Sequence, residues 1–291
     1  GRAKNPRTLC SAEHETFRDS VRRFMDTEVK PNDERWQEQG YADRDVWKKA
    51  GANGFLCSSM PEVYGGSGAD KLYSIILIEE QARANNSTLG FGLHSEIVAP
   101  YLNRYGSEVL KKKYLPNMAA GEQRGAIAMS EPGAGSDLQS VKTSAIRKGD
   151  KYVVNGSKTF ITNGWNADLV IVVAKTDPTQ GAKGTSLVVV DTSMKGFTKG
   201  KRLKKMGLKG QDTAELFFDN VEVPAENLLG QEGNGFVYLM QELPWERMQI
   251  AIGAVAKTEA AIEWTKDYVR ERKAFGRAVA GFQNTRFKLA E

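Results

Sequence analysis

The sequence predicts a multidomain α+β protein, with a helical domain over residues 1–122, an antiparallel sheet domain over 123–234 and a second helical region over 235–291. Three observations predict it. Up to about residue 120, apolar residues recur at helical spacing. They then gather into short runs such as Leu169-Val-Ile-Val-Val-Ala174, divided by turn pairs rather than by helices, which favours an antiparallel sheet over strand-helix-strand units. From Gly235 the chain returns to Ala-rich, charge-studded helical sequence.

In the first region Phe17, Val21, Phe24, Met25 and Val29 share one helical face, and Pro31 is expected to stop the run. A second helix is expected from Asp43 to Asn53. After the turn-rich Pro61-Glu-Val-Tyr-Gly-Gly-Ser-Gly68, Asp70 is placed to cap a helix carrying Leu72, Ile75, Ile76 and Ile78 into Glu79 and Glu80. Strands are expected at residues 152–155, 169–174, 186–190 and 215–218, with turns at Lys148-Gly-Asp150, Asn155-Gly156, Asn163-Gly164 and Asp219-Asn220. The last region has too little apolar surface to stand alone, so it either packs on the first domain or is cut short. Its amphipathic pattern runs on to Glu291, which favours a cut.

Composition narrows the chemistry. The longest apolar runs fall far short of the roughly 20 residues of a membrane span, so no transmembrane segment is expected. Cys10 and Cys57 sit in no disulfide or zinc spacing, which points to a reducing compartment. His14 and His94 are the only histidines; a His-rich metal site, a Ser-His-Asp triad or a Cys-His dyad would have to rest on one of them, and no metal is assigned. A carboxylate is therefore the leading candidate for a base. The net charge of +5 includes one cluster, Lys201-Arg-Leu-Lys-Lys205, that fits either a polyphosphate ligand or a solvated face. No basic-aromatic stripe suggests nucleic acid.

Three segments carry candidate chemistry. Ser130-Glu-Pro-Gly-Ala-Gly-Ser-Asp137 follows an apolar strand, but the third glycine of a dinucleotide fingerprint would fall on Leu138, so that motif fails. What remains is a turn whose glycines admit a planar or phosphate-bearing ligand, or an ordinary tight loop. Phe160-Ile-Thr-Asn163 offers an aromatic wall, an aliphatic contact and a hydroxyl, or else a hairpin end with Phe160 in the core. Glu246 stands in a helical run among Leu243, Pro244, Trp245 and Met248, where partial desolvation would make it a useful base; Arg247 projects about 100° away. A surface Glu-Arg pair is the plain alternative.

The run Ala128-Met-Ser-Glu-Pro-Gly-Ala-Gly-Ser-Asp137 resembles the flavin-contacting signature of the acyl-CoA dehydrogenases. The likeness continues through Pro61-Glu-x-x-Gly-Gly66, Phe160-Ile-Thr-Asn-Gly164, Met206-Gly-Leu-Lys-Gly-Gln-Asp-Thr213 and Glu271-Arg-Lys-Ala-Phe-Gly276, in the family's order and from about residue 11 to the end. Most branches place the catalytic glutamate in the C-terminal bundle. The long-chain and isovaleryl branches carry it in the helix of Glu246, and Gln241-Glu-Leu-Pro-x-Glu-Arg247 with Gln211-Asp-Thr-Ala-Glu-Leu-Phe-Phe218 resembles the long-chain branch most.

The resemblance implies a helical domain, a middle β-barrel domain and the start of a C-terminal four-helix bundle, incomplete at residue 291. It implies FAD, with Ile127, Met129, Ser130, Gly135 and Ser136 along one side of the ring and Phe160, Ile161 and Thr162 covering the other. Many relatives have tryptophan where Phe160 stands. Arg272, Phe275 and Gln283 match positions that reach FAD held mainly by a neighbouring subunit, implying a homotetramer built as a dimer of dimers. Ser136, Pro244, Trp245 and Arg247 would line the acyl-CoA path, with Ala174 and Lys175 at its mouth. Leu89 and Leu93 would floor the acyl pocket, where Gly90 and Gly92 leave space for a medium-to-long straight chain. The implied reaction is α,β-dehydrogenation in fatty-acid β-oxidation, with Glu246 taking the α-proton and hydride passing to flavin N5. It gives a trans-2-enoyl-CoA, and electrons go on to an electron-transfer flavoprotein. Raising a base by about three pKa units supplies only about 4 kcal/mol, so donors to the developing enolate oxygen must supply more. One such donor, a backbone amide of the C-terminal bundle, is expected beyond residue 291. Alternatives are an isovaleryl-type or other branched acyl-CoA dehydrogenase, a flavin oxidase, or a flavin- or CoA-ester-binding fragment without turnover. The implied location is the cytoplasm in a bacterium or the mitochondrial matrix in a eukaryote.

Overall fold

A computed structural model describes residues 8–291. Seven helices come first: α1 (Ala12–Phe24), α2 (Asp33–Gln39), α3 (Arg44–Ala52), α4 (Lys71–Arg83), the single turn α5 (Phe91–Leu93), α6 (Ala99–Tyr105) and α7 (Glu108–Ala119). Asp70 caps α4 as expected, accepting from the Leu72 amide at 2.8 Å. Pro31 does not stop the first run. A π-helical turn at Met25–Val29 passes into a 3-10 turn at Lys30–Asn32, and α2 follows directly. Proline lacks the N–H that a continuing α-helix would use, so the chain changes its winding there and goes on.

The middle of the chain forms β1 (Gly125–Ala128), β2 (Ser144–Lys148), β3 (Lys151–Thr162), β4 (Leu169–Lys175), β5 (Thr185–Asp191), β6 (Phe197–Arg202) and β7 (Thr213–Pro224) in one sheet. The sheet curls without closing, since β5 pairs along its length only with β4 and β6 only with β7. It is mixed rather than purely antiparallel: β1 runs parallel to β4, and β2 touches the end of β4 through Ser144 and Lys175. The continuous apolar run of β4 is explained by burial on both faces. Leu169, Ile171 and Val173 pack with Val98, Tyr101, Leu102 and Tyr114 of the helical layer, while Val170, Val172 and Ala174 face the sheet's own interior with Val154, Leu216 and Val223.

Two expected turns are instead one bulge. Val154 pairs with Val221 and Gly156 with Phe218, so β7 carries an extra residue there. Asn155 and Asn220, the latter at φ 49°, close the bulge on each other: the Asn220 amide donates to Asn155 Oδ1 at 2.8 Å.

The last part comprises α8 (Gly235–Glu271), the hairpin strands β8 (Lys273–Ala274) and β9 (Arg277–Ala278), and α9 (Gln283–Ala290). Helix α8, about 55 Å long, packs on α4, so the region does rest on the first domain. Its Ile250, Val255, Ile262 and Trp264 remain exposed. Among the described residues no helix is long and apolar enough to cross a membrane.

Candidate active site

Strand β1 is buried throughout and delivers Met129 and Ser130, both half-buried, to a tight turn closed by reciprocal backbone bonds between Glu131 and Ala134 at 2.8 and 3.1 Å. The Glu131 carboxylate turns inward and accepts from the amides of Lys142 (2.7 Å) and Thr143 (3.0 Å) and from Lys158 Nζ (2.8 Å). Lys158 also donates to the Met129 carbonyl at 2.9 Å, and the Thr159 amide donates to the Ser130 carbonyl at 3.0 Å. Burial pushes the Glu131 carboxyl up, but its bonds from Lys158, Thr143 and Lys142 outweigh this and hold it below its ordinary value. Burial pushes the Lys158 ammonium down to about 8. One buried ion pair thus ties the Ser130 turn to β3.

Beyond Lys158, β3 carries one residue more than its partner, since Lys158 pairs with Leu216 and Ile161 with Ala214. The extra residue puts Phe160 at φ 59° and leaves it 70% exposed, while Ile161 is buried. A left-handed backbone at an aromatic residue costs about 1–3 kcal/mol. Phe160 is therefore outside the core. Gly133 and Gly135 lack left-handed φ values, and a Cβ on either would meet nothing within 4 Å. The fold itself therefore makes no demand for glycine at either position; a Cβ would obstruct only something outside the chain. An open backbone turn facing solvent, tied to an exposed aromatic, fits a large planar cofactor such as a flavin.

Glu246 lies on α8, half-buried, and Oε1 accepts from the Tyr101 hydroxyl at 3.1 Å. Burial raises its pKa above the ordinary carboxylate value, with Glu242 adding to the effect and Tyr101 and Arg247 opposing it. Arg247 is exposed and, among the described residues, makes no ion pair, so its charge acts on the carboxylate without a contact pair. Tyr101 belongs to the same apolar core as Ile127, with Met129 and Leu93 packed at its edge. Trp245 is half-buried, with Lys71 Nζ 4.6 Å over its ring, and Pro244 is exposed.

Models of the acyl-CoA dehydrogenase N-terminal, middle and C-terminal domains match residues 11–122, 126–221 and 233–291. The chain belongs to the acyl-CoA dehydrogenase family. The mitochondrial long-chain specific acyl-CoA dehydrogenase of Rattus norvegicus is 52% identical over 287 residues, covering 98% of this chain and 67% of the rat protein. The crystal structure of an acyl-CoA dehydrogenase from Geobacillus kaustophilus superposes with a TM-score of 0.94 at 48% identity, covering 97% of this chain and 75% of that one. A glutaryl-CoA dehydrogenase from Mycobacterium smegmatis, solved in complex with FADH2, has a TM-score of 0.89 at 31% identity, with 97% and 72% covered. Like these relatives, the chain is of the flavin-dependent oxidoreductase class.

The other expected site residues are spread over all three regions of the chain. Leu89 is buried beside Trp47 and Phe91, in the core of the first helices. Gly90 leaves no free space, because a Cβ there would sit 1.9 Å from Asn163 Oδ1; Asn163 Nδ2 donates to the Gly90 carbonyl at 3.1 Å. Ala174 and Lys175 are buried, and Lys175 Nζ is consumed by the Gly181 carbonyl and Thr185 Oγ1, so neither stands at an open mouth. Ser136 is exposed at the turn and Thr162 half-buried at the end of β3. Arg272, Phe275 and Gln283 are exposed on the end of α8, the hairpin and α9, and among the described residues no hydrogen bond joins them to the Ser130 turn. In the basic cluster, Lys205 holds the Gln211 carbonyl and Arg202 lies over Tyr41 and Trp165 at 5.1 and 5.2 Å, which favours a structural surface over a ligand site. Sequence reasoning missed Lys158 and Tyr101. The first had a signal, since the alternation through Tyr152 and Val154 puts residue 158 on the inner side of β3; the second had none.

Proposed function

We propose that this protein oxidises a medium-to-long straight-chain acyl-CoA to the trans-2-enoyl-CoA, with Glu246 as the base. One observation carries the reading: a helical carboxylate, raised by burial, is held by a buried phenol that shares a core with the strand leading into the flavin signature. FAD, the cofactor proposed from the signature and from the relative solved with FADH2, supplies the hydride acceptor when bound. Ile127, Met129, Ser130, Gly135 and Ser136 with Phe160, Ile161 and Thr162 would hold it in this chain, and Arg272, Phe275 and Gln283 would serve a neighbouring copy's cofactor in a homotetramer. Glu246 takes the proton α to the thioester carbonyl. Its raised pKa brings it closer to that of the weakly acidic carbon it deprotonates. Ser136, Trp245 and Arg247 would line the thioester's path, and an electron-transfer flavoprotein would collect the electrons.

The test is anaerobic mixing of the FAD-loaded protein with butyryl-, octanoyl-, palmitoyl- and isovaleryl-CoA while the flavin band is followed. Bleaching fastest with octanoyl- or palmitoyl-CoA is expected. Fastest bleaching with isovaleryl-CoA would reassign the substrate, and none with any of the four would remove the dehydrogenase reading.

A further inference from the structure

Helices α6 and α8 meet along a polar ladder. Tyr101, Arg104 and Tyr105 occupy one face of α6 at spacings of three and four residues, and Gln241, Glu242 and Glu246 answer them from α8. Tyr101 donates to Glu246 Oε1 at 3.1 Å, Arg104 to Glu242 Oε1 at 2.8 Å, and Tyr105 to Glu242 Oε1 at 2.8 Å, with Gln241 Oε1 2.9 Å from the same hydroxyl. Two carboxylates one helical turn apart thus receive different partners: Glu242 a guanidinium and a phenol, Glu246 a phenol alone. Oε2 of Glu246 has no hydrogen-bond partner among the described residues.

We infer that Tyr101 is a positioning residue for the base: its fully buried phenol pins Oε1 of Glu246, so that Oε2 is the oxygen presented to the substrate's α-proton. The inference rests on the reading of Glu246 as the base. A cation at position 101 would hold the carboxylate in its ionised form and weaken it as a base, while an apolar residue would leave it free to rotate and to protonate early. A tyrosine fixes the direction without adding charge. Burial and the neighbouring carboxylates push the Tyr101 phenol upward, so it remains a donor across the working pH range. The other charges facing Glu246 are Glu242 and Arg247 on its own helix, and Arg104 of α6 acts on it only through Glu242.

The decisive variant is Tyr101→Phe in the FAD-loaded protein, with Tyr105→Phe as control. Flavin reduction by acyl-CoA is expected to slow about tenfold in Tyr101→Phe with KM little changed, as loss of one hydrogen bond to a charged group implies. Because the phenol lowers the pKa of Glu246, removing it moves the acid limb of the rate profile to higher pH. Infrared titration of the Glu246 carboxyl band, assigned by its loss in Glu246→Gln, reads the same movement without turnover. Tyr105→Phe should leave the limb in place, since Arg104 still neutralises Glu242. If Tyr101→Phe does not fold, 3-fluorotyrosine at 101 is a stronger donor of nearly equal size and should move the limb and the band to lower pH. An unmoved limb and band in the folded variant overturns the inference, even if the rate falls through lost stability. Should Glu246→Gln still reduce flavin, the base reading fails instead, and the infrared titration separately decides whether Tyr101 holds the carboxylate.

Discussion

Lys158 carries an ammonium to a position with no exposed side-chain surface, and its two acceptors, Glu131 and the Met129 carbonyl, both belong to the Ser130 turn. Removing one partner of a buried pair strands the other charge at a cost of about 3–5 kcal/mol. Glu131→Gln is accordingly expected to lower the unfolding free energy at pH 7 by about 3 kcal/mol in urea titration and to weaken FAD retention; an unchanged midpoint would show that the pair does not brace the turn. Since the folded Glu131 pKa is lowered, its contribution is present above the ordinary carboxylate value and fades as pH falls through the lowered one, so parent and variant should converge in acid. Glu131 was legible in the sequence as part of the signature. Phe160 was not fully legible, because strict alternation from Tyr152 and Val154 would put it inside, and only the extra residue between Lys158 and Ile161 inverts it.

At the scale of elements, His94 opens a π-helical turn, His94–Val98, and joins three segments. The Gly125 amide donates to Nδ1 at 3.1 Å, so Nε2 carries the proton and donates to the Met118 carbonyl at 3.0 Å. The ring therefore fastens α7 and the first residue of β1, the strand that leads into the signature. Burial pushes its pKa down from 6.5 to about 4. The unfolded chain binds this proton more readily than the folded one, so stability falls as pH drops from about 6.5 towards 4, by about 3 kcal/mol in all. His94→Asn should flatten that part of the stability profile; identical slopes in parent and variant would assign acid unfolding to other groups. The sequence marked His94 only as one of two histidines. Its bonds depend on a π-turn that no local pattern announces, just as the closure of Asn155 on Asn220 turned two apparent hairpin signals into one bulge.

Across the whole molecule the proposed site draws on three regions: Tyr101 from the helical layer, the Ser130 turn and Phe160 from the sheet, and Glu246 from α8. The order of helices, strands and helices was readable from periodicity, and the motifs pointed to the turn and to Glu246 as the proposed base. The joint between α6 and α8 was not readable, because Tyr101 and Glu246 stand 145 positions apart and neither sequence neighbourhood specifies the other. The exposed Ile250, Val255, Ile262 and Trp264 of α8 and the 96% exposed Phe275 form apolar surface of the kind that further protein covers, which fits the proposed assembly. The account stands or falls on Glu246, the proposed base. Anaerobic rapid mixing of FAD-loaded Glu246→Gln with palmitoyl-CoA, beside the parent, tests it directly. The account predicts unchanged acyl-CoA binding and flavin reduction slowed by at least about a hundredfold; reduction at the parent's rate would contradict it.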